Sequence, residues 1–198
     1  MIKDLKSNID WIDIKNKCRR TMGKDATSNY PSDKFITDVL IAEHSPIRLG
    51  HISWTWKGIK SWVSVHFARH WLGWDKFVST QRTDRTGTDR DNAPQNTPVD
   101  MDINANLQAL INVSRFRLCY QASTETRQEM EGIKKAIHEI EPNVSDVMVP
   151  NCVYRCGCPE FASCGYWQKF REKYSDINYA DIRERYNAYN EYFTKTTI

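Results

Sequence analysis

The chain of 198 residues lacks any apolar run that approaches the length of a membrane span. Its first stretch, Met1 to Asp13, alternates charge with short apolar steps, which excludes the continuous hydrophobic segment of a signal peptide. The expected protein is soluble and cytoplasmic, in a host's cytoplasm if the source is viral, with no membrane partner. A surplus of one charge is missing too: 28 basic residues stand against 25 acidic ones. Proteins that hold duplexes by phosphate neutralisation need a concentrated basic surface, so no direct nucleic-acid binding is expected. There is no internal repeat and no low-complexity segment. The length suits one ordinary domain with a real core, and is too short for two independent ones. In a reducing compartment the six cysteines read as thiols or metal ligands and not as a disulfide framework.

Aromatic residues are plentiful, with seven Trp and nine Tyr, and most are expected in packing. Residues Ile2 to Met22 read as a short charged helical segment, followed by a polar loop over Lys24–Pro31. Ser32 is placed to cap a helix whose apolar face is Phe35, Ile36, Val39 and Leu40, with Pro46 marking its end. Ile52, Trp54 and Trp56 alternate with polar residues, as on one face of a strand. From Ile59 the spacing lengthens to four, through Val63 and Phe67, predicting a helix that delivers Arg69 and His70 near its end. Residues Gly73 to Asp100 read as a long polar excursion, a kind of loop that is usually functional or disordered. Ile103, Leu107, Leu110, Ile111 and Leu118 predict a helix ending near Ala122. Another is expected from Glu125 to Ile140, with Met130, Ile133, Ile137 and Ile140 inward and Pro142 as its stop. Tyr179, Ile182, Tyr186, Tyr189 and Phe193 recur at helical spacing in the last segment, as core or subunit packing. The expected organisation is a main domain over residues 1–148, with a Cys-rich loop and helical extension over 149–198 packed on it.

An anionic nucleotide needs guanidinium groups for its phosphate and planar donors for its base. Arg82, Arg85, Arg90 and Arg117 supply the first. On a continuous helix Asn106, Arg117 and Gln121 would project to nearly one face, while Asn112 would fall about 140° from Arg117. Each of these residues alone also reads as part of a solvated helix face.

Together they carry a family resemblance. Arg69-His70, Ser79-x-Gln81-Arg82, Arg90-x-x-x-Pro94, and Asn106-x5-Asn112-x4-Arg117-x3-Gln121-Ala122 resemble the active-site skeleton of flavin-dependent thymidylate synthases. His44-Ser45-Pro46 resembles that family's flavin segment with one residue fewer. The likeness covers about residues 43 to 142. Trp71 stands where the family signature has a third basic residue, its Asn-Glu pair is missing, Arg82 aligns only with one inserted residue, Val65-His66 replaces an Arg-Gln pair, and Gln121 replaces a histidine. The resemblance implies an α/β (α+β) fold, a central mostly antiparallel sheet flanked by helices, and a homotetramer with shared active sites. It implies deoxyuridylate (dUMP) at Ser79, Gln81, Arg82, Arg90 and Arg117, with Arg117 and Ser79 in the catalytic group. FAD would lie against His44, Ser45, Arg69, His70, Asn106, Asn112 and Gln121. NADPH and methylenetetrahydrofolate would be co-substrates. A flavin supplies the redox chemistry, so such a protein positions and biases its ligands and needs no activated nucleophile.

The implied activity is thymidylate synthesis. The altered signature also motivates a hydroxymethyl-transferring variant of the kind that suits a phage with modified DNA. A non-catalytic nucleotide-binding or zinc-stabilised interaction protein is the contrasting reading. Beyond the resemblance, Cys152-x3-Cys156-x-Cys158-x5-Cys164 suggests a structural Zn²⁺ site. Its expected ligands are Cys152, Cys158 and Cys164, with Cys119 or alternatively Cys156 as the fourth.

Overall fold

The computed structural model describes residues 1–196. Strand β1 (Ile2–Asn8) and helices α1 (Trp11–Thr21) and α2 (Asp33–Ile41) are followed by a 3-10 turn, Ser45–Leu49. Next come β2 (His51–Lys60), α3 (Ser61–Ala68), β3 (Trp74–Val78), α4 (Thr83–Thr86) and β4 (Pro98–Asn106). The rest is helical: α5 (Leu107–Arg117), α6 (Thr124–His138), α7 (Pro142–Asp146), α8 (Asn151–Arg155), α9 (Tyr166–Lys173) and α10 (Ile182–Thr196). Among the described residues the strands form one antiparallel sheet in the order β1-β2-β4-β3, flanked by helices. This is the mixed α/β architecture that the family resemblance implies. Among the described residues no helix is long and apolar enough to cross a membrane.

The sheet is one-sided because its central strands alternate. On β2 Ile52, Trp54 and Trp56 are buried, and they pair with Ala105, Ile103 and Met101 of β4, buried on the same face. Asp100, Asp102 and Asn104 turn to the other side, where Thr55 Oγ1 donates to Asp102 Oδ1 at 2.7 Å. The indoles of Trp54 and Trp56 meet edge to face at 5.2 Å, Trp74 joins them from β3 at 5.5 Å, and Phe67 of α3 closes over Trp56 at 4.3 Å. Large side chains buried this completely contribute roughly 1.5–3 kcal/mol each, and they fix α3 across the sheet.

Several expectations are corrected. Ile2–Met22 is not one helix but β1 and then α1, which starts at an Asp10 cap accepting from the Asp13 amide at 2.9 Å. The alternation of β1 is broken by a bulge between Lys3 and Lys6, with Asp4 at φ 53°, so its period is hidden. The polar excursion from Gly73 to Asp100 contains β3, α4 and the first residues of β4. The helix expected from Ile103 starts only at Leu107: Ile103 to Asn106 are still strand, and Asn106 is the extended N-cap. Its side-chain oxygen accepts from the Ala109 amide at 2.8 Å. Asn106 and Gln121 therefore do not share a helical face with Arg117, because one precedes α5 and the other follows its Leu118 cap. Ile140 is exposed, since α6 ends at His138.

The C-terminal elements belong to the same apolar cluster as the sheet, through Val153, Tyr166, Phe170, Tyr186 and Tyr189. Two buried cations bind them. Lys134 of α6, brought down to about 7 by burial, donates to Ser145 O at 2.5 Å and to Asn190 Oδ1 of α10 at 2.8 Å. Arg185 donates to the Val153 and Tyr154 carbonyls at 2.8 and 3.0 Å, satisfying acceptors in the last turn of α8.

Candidate active site

Helix α5 organises two clefts. Its 11 residues carry it about 16 Å at 1.5 Å per residue, from the Asn106 cap to Arg117. Beside the far end lies a cleft of about 430 Å³ lined by His70, Phe116, Arg117, Cys119, Gln121, Ala122 and Glu160. Beside the cap lies another of about 440 Å³, lined by Glu43, Arg48, Leu72, Gly73, Asn106, Gln108, Ala109 and Asn112. The turn from His70 to Gly73 borders both.

In the first cleft Arg117 Nε donates to His70 Nε2 at 2.9 Å, and Nη2 donates to the His66 carbonyl at 2.7 Å. His70 is an acceptor here, so its ring is neutral with the proton on Nδ1. Burial, then the charges of Arg117 and Lys76, brings its pKa down to about 4 and holds that state across the physiological range. Arg117 is half-buried, and no ion pair neutralises it among the described residues. Burial and the neighbouring Arg69 press its pKa downward, yet a guanidinium stays charged. A fixed, desolvated and unneutralised cation beside a neutral imidazole favours an anion, or a carbonyl on which negative charge builds. His70 acts as a positioning residue, taking one guanidinium edge and leaving Nη1 for a ligand.

The second cleft rests on a close approach. Gly73 has φ 69°, and a Cβ there would lie 2.2 Å from Asn106 Nδ2. The Asn106 amide also donates to Gly73 O at 2.9 Å, which clasps the turn before β3 to the cap of α5. Behind this floor Arg115, nearly buried, pairs with Glu43 and donates to Asn112 Oδ1 at 3.2 Å. The ring of Tyr154 stacks 3.4 Å from its guanidinium. Glu43 holds a left-handed φ of 49°, a strain that the buried pair offsets. Sequence reasoning missed Glu43, Arg115 and Tyr154; they lie in three separate segments, and only the fold joins them. Arg48, Gln108, Asn106 and Asn112 give the cleft amide and guanidinium donors, with exposed Leu72 as an apolar edge. That donor set suits the polar rim of a flavin ring.

The remaining candidate residues lie elsewhere. His44 caps the 3-10 turn and stands 3.9 Å from Cys18 Sγ, Ser45 begins that turn, and both are exposed. Ser79, Gln81, Arg82 and Arg90 sit at the opposite end of the sheet. The Ser79 N–H donates to the Asp100 carbonyl at 2.9 Å, and the Ser79 hydroxyl oxygen accepts from the Asp100 N–H at 3.0 Å. Gln81 accepts from Ser61 Oγ at 3.3 Å, at the start of α3. Arg82 forms a fork with Asp84 at 3.0 and 2.7 Å, and Arg90 is exposed on the following loop. Within one chain the structure brings Arg117, His70 and Gln121 together, and places Asn106 and Asn112 in the neighbouring cleft.

Among the described residues no group of three or more His, Cys, Asp or Glu is placed to hold a metal ion. Cys119, Cys152, Cys158 and Cys164, the set expected from the cysteine spacing, nevertheless lie near enough for their charges to act on one another. Burial, followed by the charges of Cys119, Cys158 and Cys164, pushes the Cys152 thiol up to about 12. Cys119 is raised chiefly by burial, and Cys156 donates to Tyr179 O at 3.2 Å.

The chain is similar to the UMP/dUMP methylase PolB from Streptomyces cacaoi, whose crystal structure is bound with 5-Br dUMP. The TM-score is 0.55 at 13% identity, over 73% of this chain and 94% of that one. No protein-family model and no curated protein matches the sequence.

Proposed function

We propose that this chain is an enzyme that modifies deoxyuridylate at C5 by one-carbon transfer, a flavin-dependent thymidylate synthase in its simplest form. The observation that carries this reading is Arg117: half-buried, unneutralised and oriented by a neutral His70 in a cleft of mononucleotide size. The shared fold with a protein bound to 5-Br dUMP supports the same substrate class. The enolate-like negative charge on the pyrimidine carbonyls that makes C5 nucleophilic toward the one-carbon donor would fall to Arg117, whose unspent donors need no reorganisation. His70 keeps the guanidinium plane fixed, and Phe116 and Ala122 exclude water from one side of the base. Arg48, Asn106, Gln108 and Asn112 would hold FAD, which when bound supplies the reducing electrons, with NADPH and methylenetetrahydrofolate as co-substrates. Ser79, Gln81, Arg82 and Arg90 would serve the site of another copy in a homotetramer, since they stand at the other end of their own sheet.

Titration calorimetry with dUMP and UMP, together with visible absorbance after FAD addition, tests the reading. Binding of dUMP and a flavin spectrum that shifts with dUMP are expected. A protein that binds neither ligand removes the enzyme reading. Product analysis with methylenetetrahydrofolate and NADPH then separates methyl from hydroxymethyl transfer.

A further inference from the structure

We propose that Glu160, contributed by the Cys-rich segment after α8, is a specificity residue of the Arg117 cleft, selecting pyrimidines that carry an imide N–H at position 3. The inference rests on the nucleotide reading above and adds a residue outside the family resemblance.

Glu160 lines the same cleft as Arg117 and His70, although 43 positions separate Glu160 from Arg117 in the sequence. Its segment is held at the end of α5 by two contacts. Gln121 Nε2 donates to Ala162 O at 2.5 Å, and the rings of Tyr120 and Tyr166 stack at 4.6 Å with 13° between their planes. Glu160 forms no ion pair among the described residues. The cleft is thus bipolar, with the guanidinium of Arg117 on one wall and a carboxylate on another.

A ligand that satisfies both walls presents an electron-rich carbonyl to the arginine and an N–H donor to the carboxylate. The 2,4-dioxo pyrimidine ring has this pattern, because N3–H lies between two carbonyl groups. Cytosine does not: its N3 is an acceptor, and a carboxylate opposite it is left with two lone-pair groups facing each other. The same carboxylate repels a phosphate, so it also fixes which end of the nucleotide enters.

The test uses the full chain, with dUMP, dCMP and deoxyribose 5-phosphate as titrants for the wild type, Glu160→Gln and Glu160→Ala. The wild type is expected to prefer dUMP over dCMP. Glu160→Gln should narrow that preference by at least about tenfold, because a carboxamide can turn its donor toward cytosine N3. Glu160→Ala should weaken dUMP by about tenfold while the affinity for deoxyribose 5-phosphate and the melting temperature stay unchanged. Wild-type binding of dUMP with the same dUMP-to-dCMP ratio in both variants overturns the assignment of Glu160 alone. A wild type that binds neither nucleotide overturns it together with the nucleotide reading.

Discussion

The two ends of the sheet carry arginines that look alike in the sequence and differ in electrostatic state. At the cleft end Arg115 and Arg117 are held by packing and by partners far away in the chain. At the other end Arg82 and Arg90 lie on an exposed excursion, and Arg82 is paired with a residue two positions on. The Arg115–Glu43 side chains are 9% and 21% exposed, whereas the Arg82–Asp84 pair is 57% and 60% exposed. A guanidinium becomes a built part of a site when the fold removes its water and fixes its neighbours. An exposed one keeps its options open, including service to a second copy of the chain.

The largest expected effect comes from breaking the buried pair. Glu43→Gln leaves Arg115 charged and unpaired, and urea denaturation should show a loss of about 3–5 kcal/mol. Asp84→Asn at the opposite end should cost under about 1 kcal/mol, since that pair is solvated. Equal losses at the two ends would erase the contrast. Next is Arg117→Ala, expected to weaken dUMP by at least about tenfold through lost charge-assisted hydrogen bonds while leaving the fold intact. Mixing Arg117→Ala with Arg82→Ala protomers sharpens the point. Hybrid oligomers should recover activity that neither variant has, if the exposed arginines complete a neighbour's site. Absence of recovery would confine Arg82 to its own surface.

Third, Gly73→Ala should cost about 1–3 kcal/mol in thermal melts, because the new Cβ meets Asn106 and φ is left-handed. The double variant with Asn106→Gly should regain part of this loss, as glycine at an N-cap costs only a few tenths of a kcal/mol. The last effect is in pH. The folded pKa of His70 lies below the free value of 6.5, so the unfolded chain takes up that proton first as pH falls. The stability held by neutral His70 is complete above pH 6.5 and is lost as pH drops through about 4. An NMR titration of the His70 ring should show its midpoint near 4. A midpoint near 6.5 would mean that the imidazole does not accept from Arg117.

The legible parts of the sequence were those where local and global preferences agree. Ser32 caps α2 through its own hydroxyl, and the Ile52-Trp54-Trp56 alternation is the buried face of β2. Strand β4 carries the same alternation in Val99, Met101, Ile103 and Ala105. Its first half reads as part of a polar excursion and its second half as part of an apolar helical stripe. Asn106, a good N-cap type, marks the true boundary. Arg117 could be singled out by its place in a spaced motif. Its state could not, because the neutrality of His70 and the lack of an ion pair to Arg117 among the described residues are properties of packing. Glu43, Arg115 and Glu160 left no local signal, since each gains its meaning from segments 40 or more positions away.

The clasp between Gly73 and Asn106 has a consequence for the protein's history. A side chain at position 73 and a branched amide at position 106 cannot occupy the same space, so the two sites are not free to drift separately. A β-carbon at 73 costs least when residue 106 has become smaller while still capping α5, so the cost of a change at one position depends on the residue at the other.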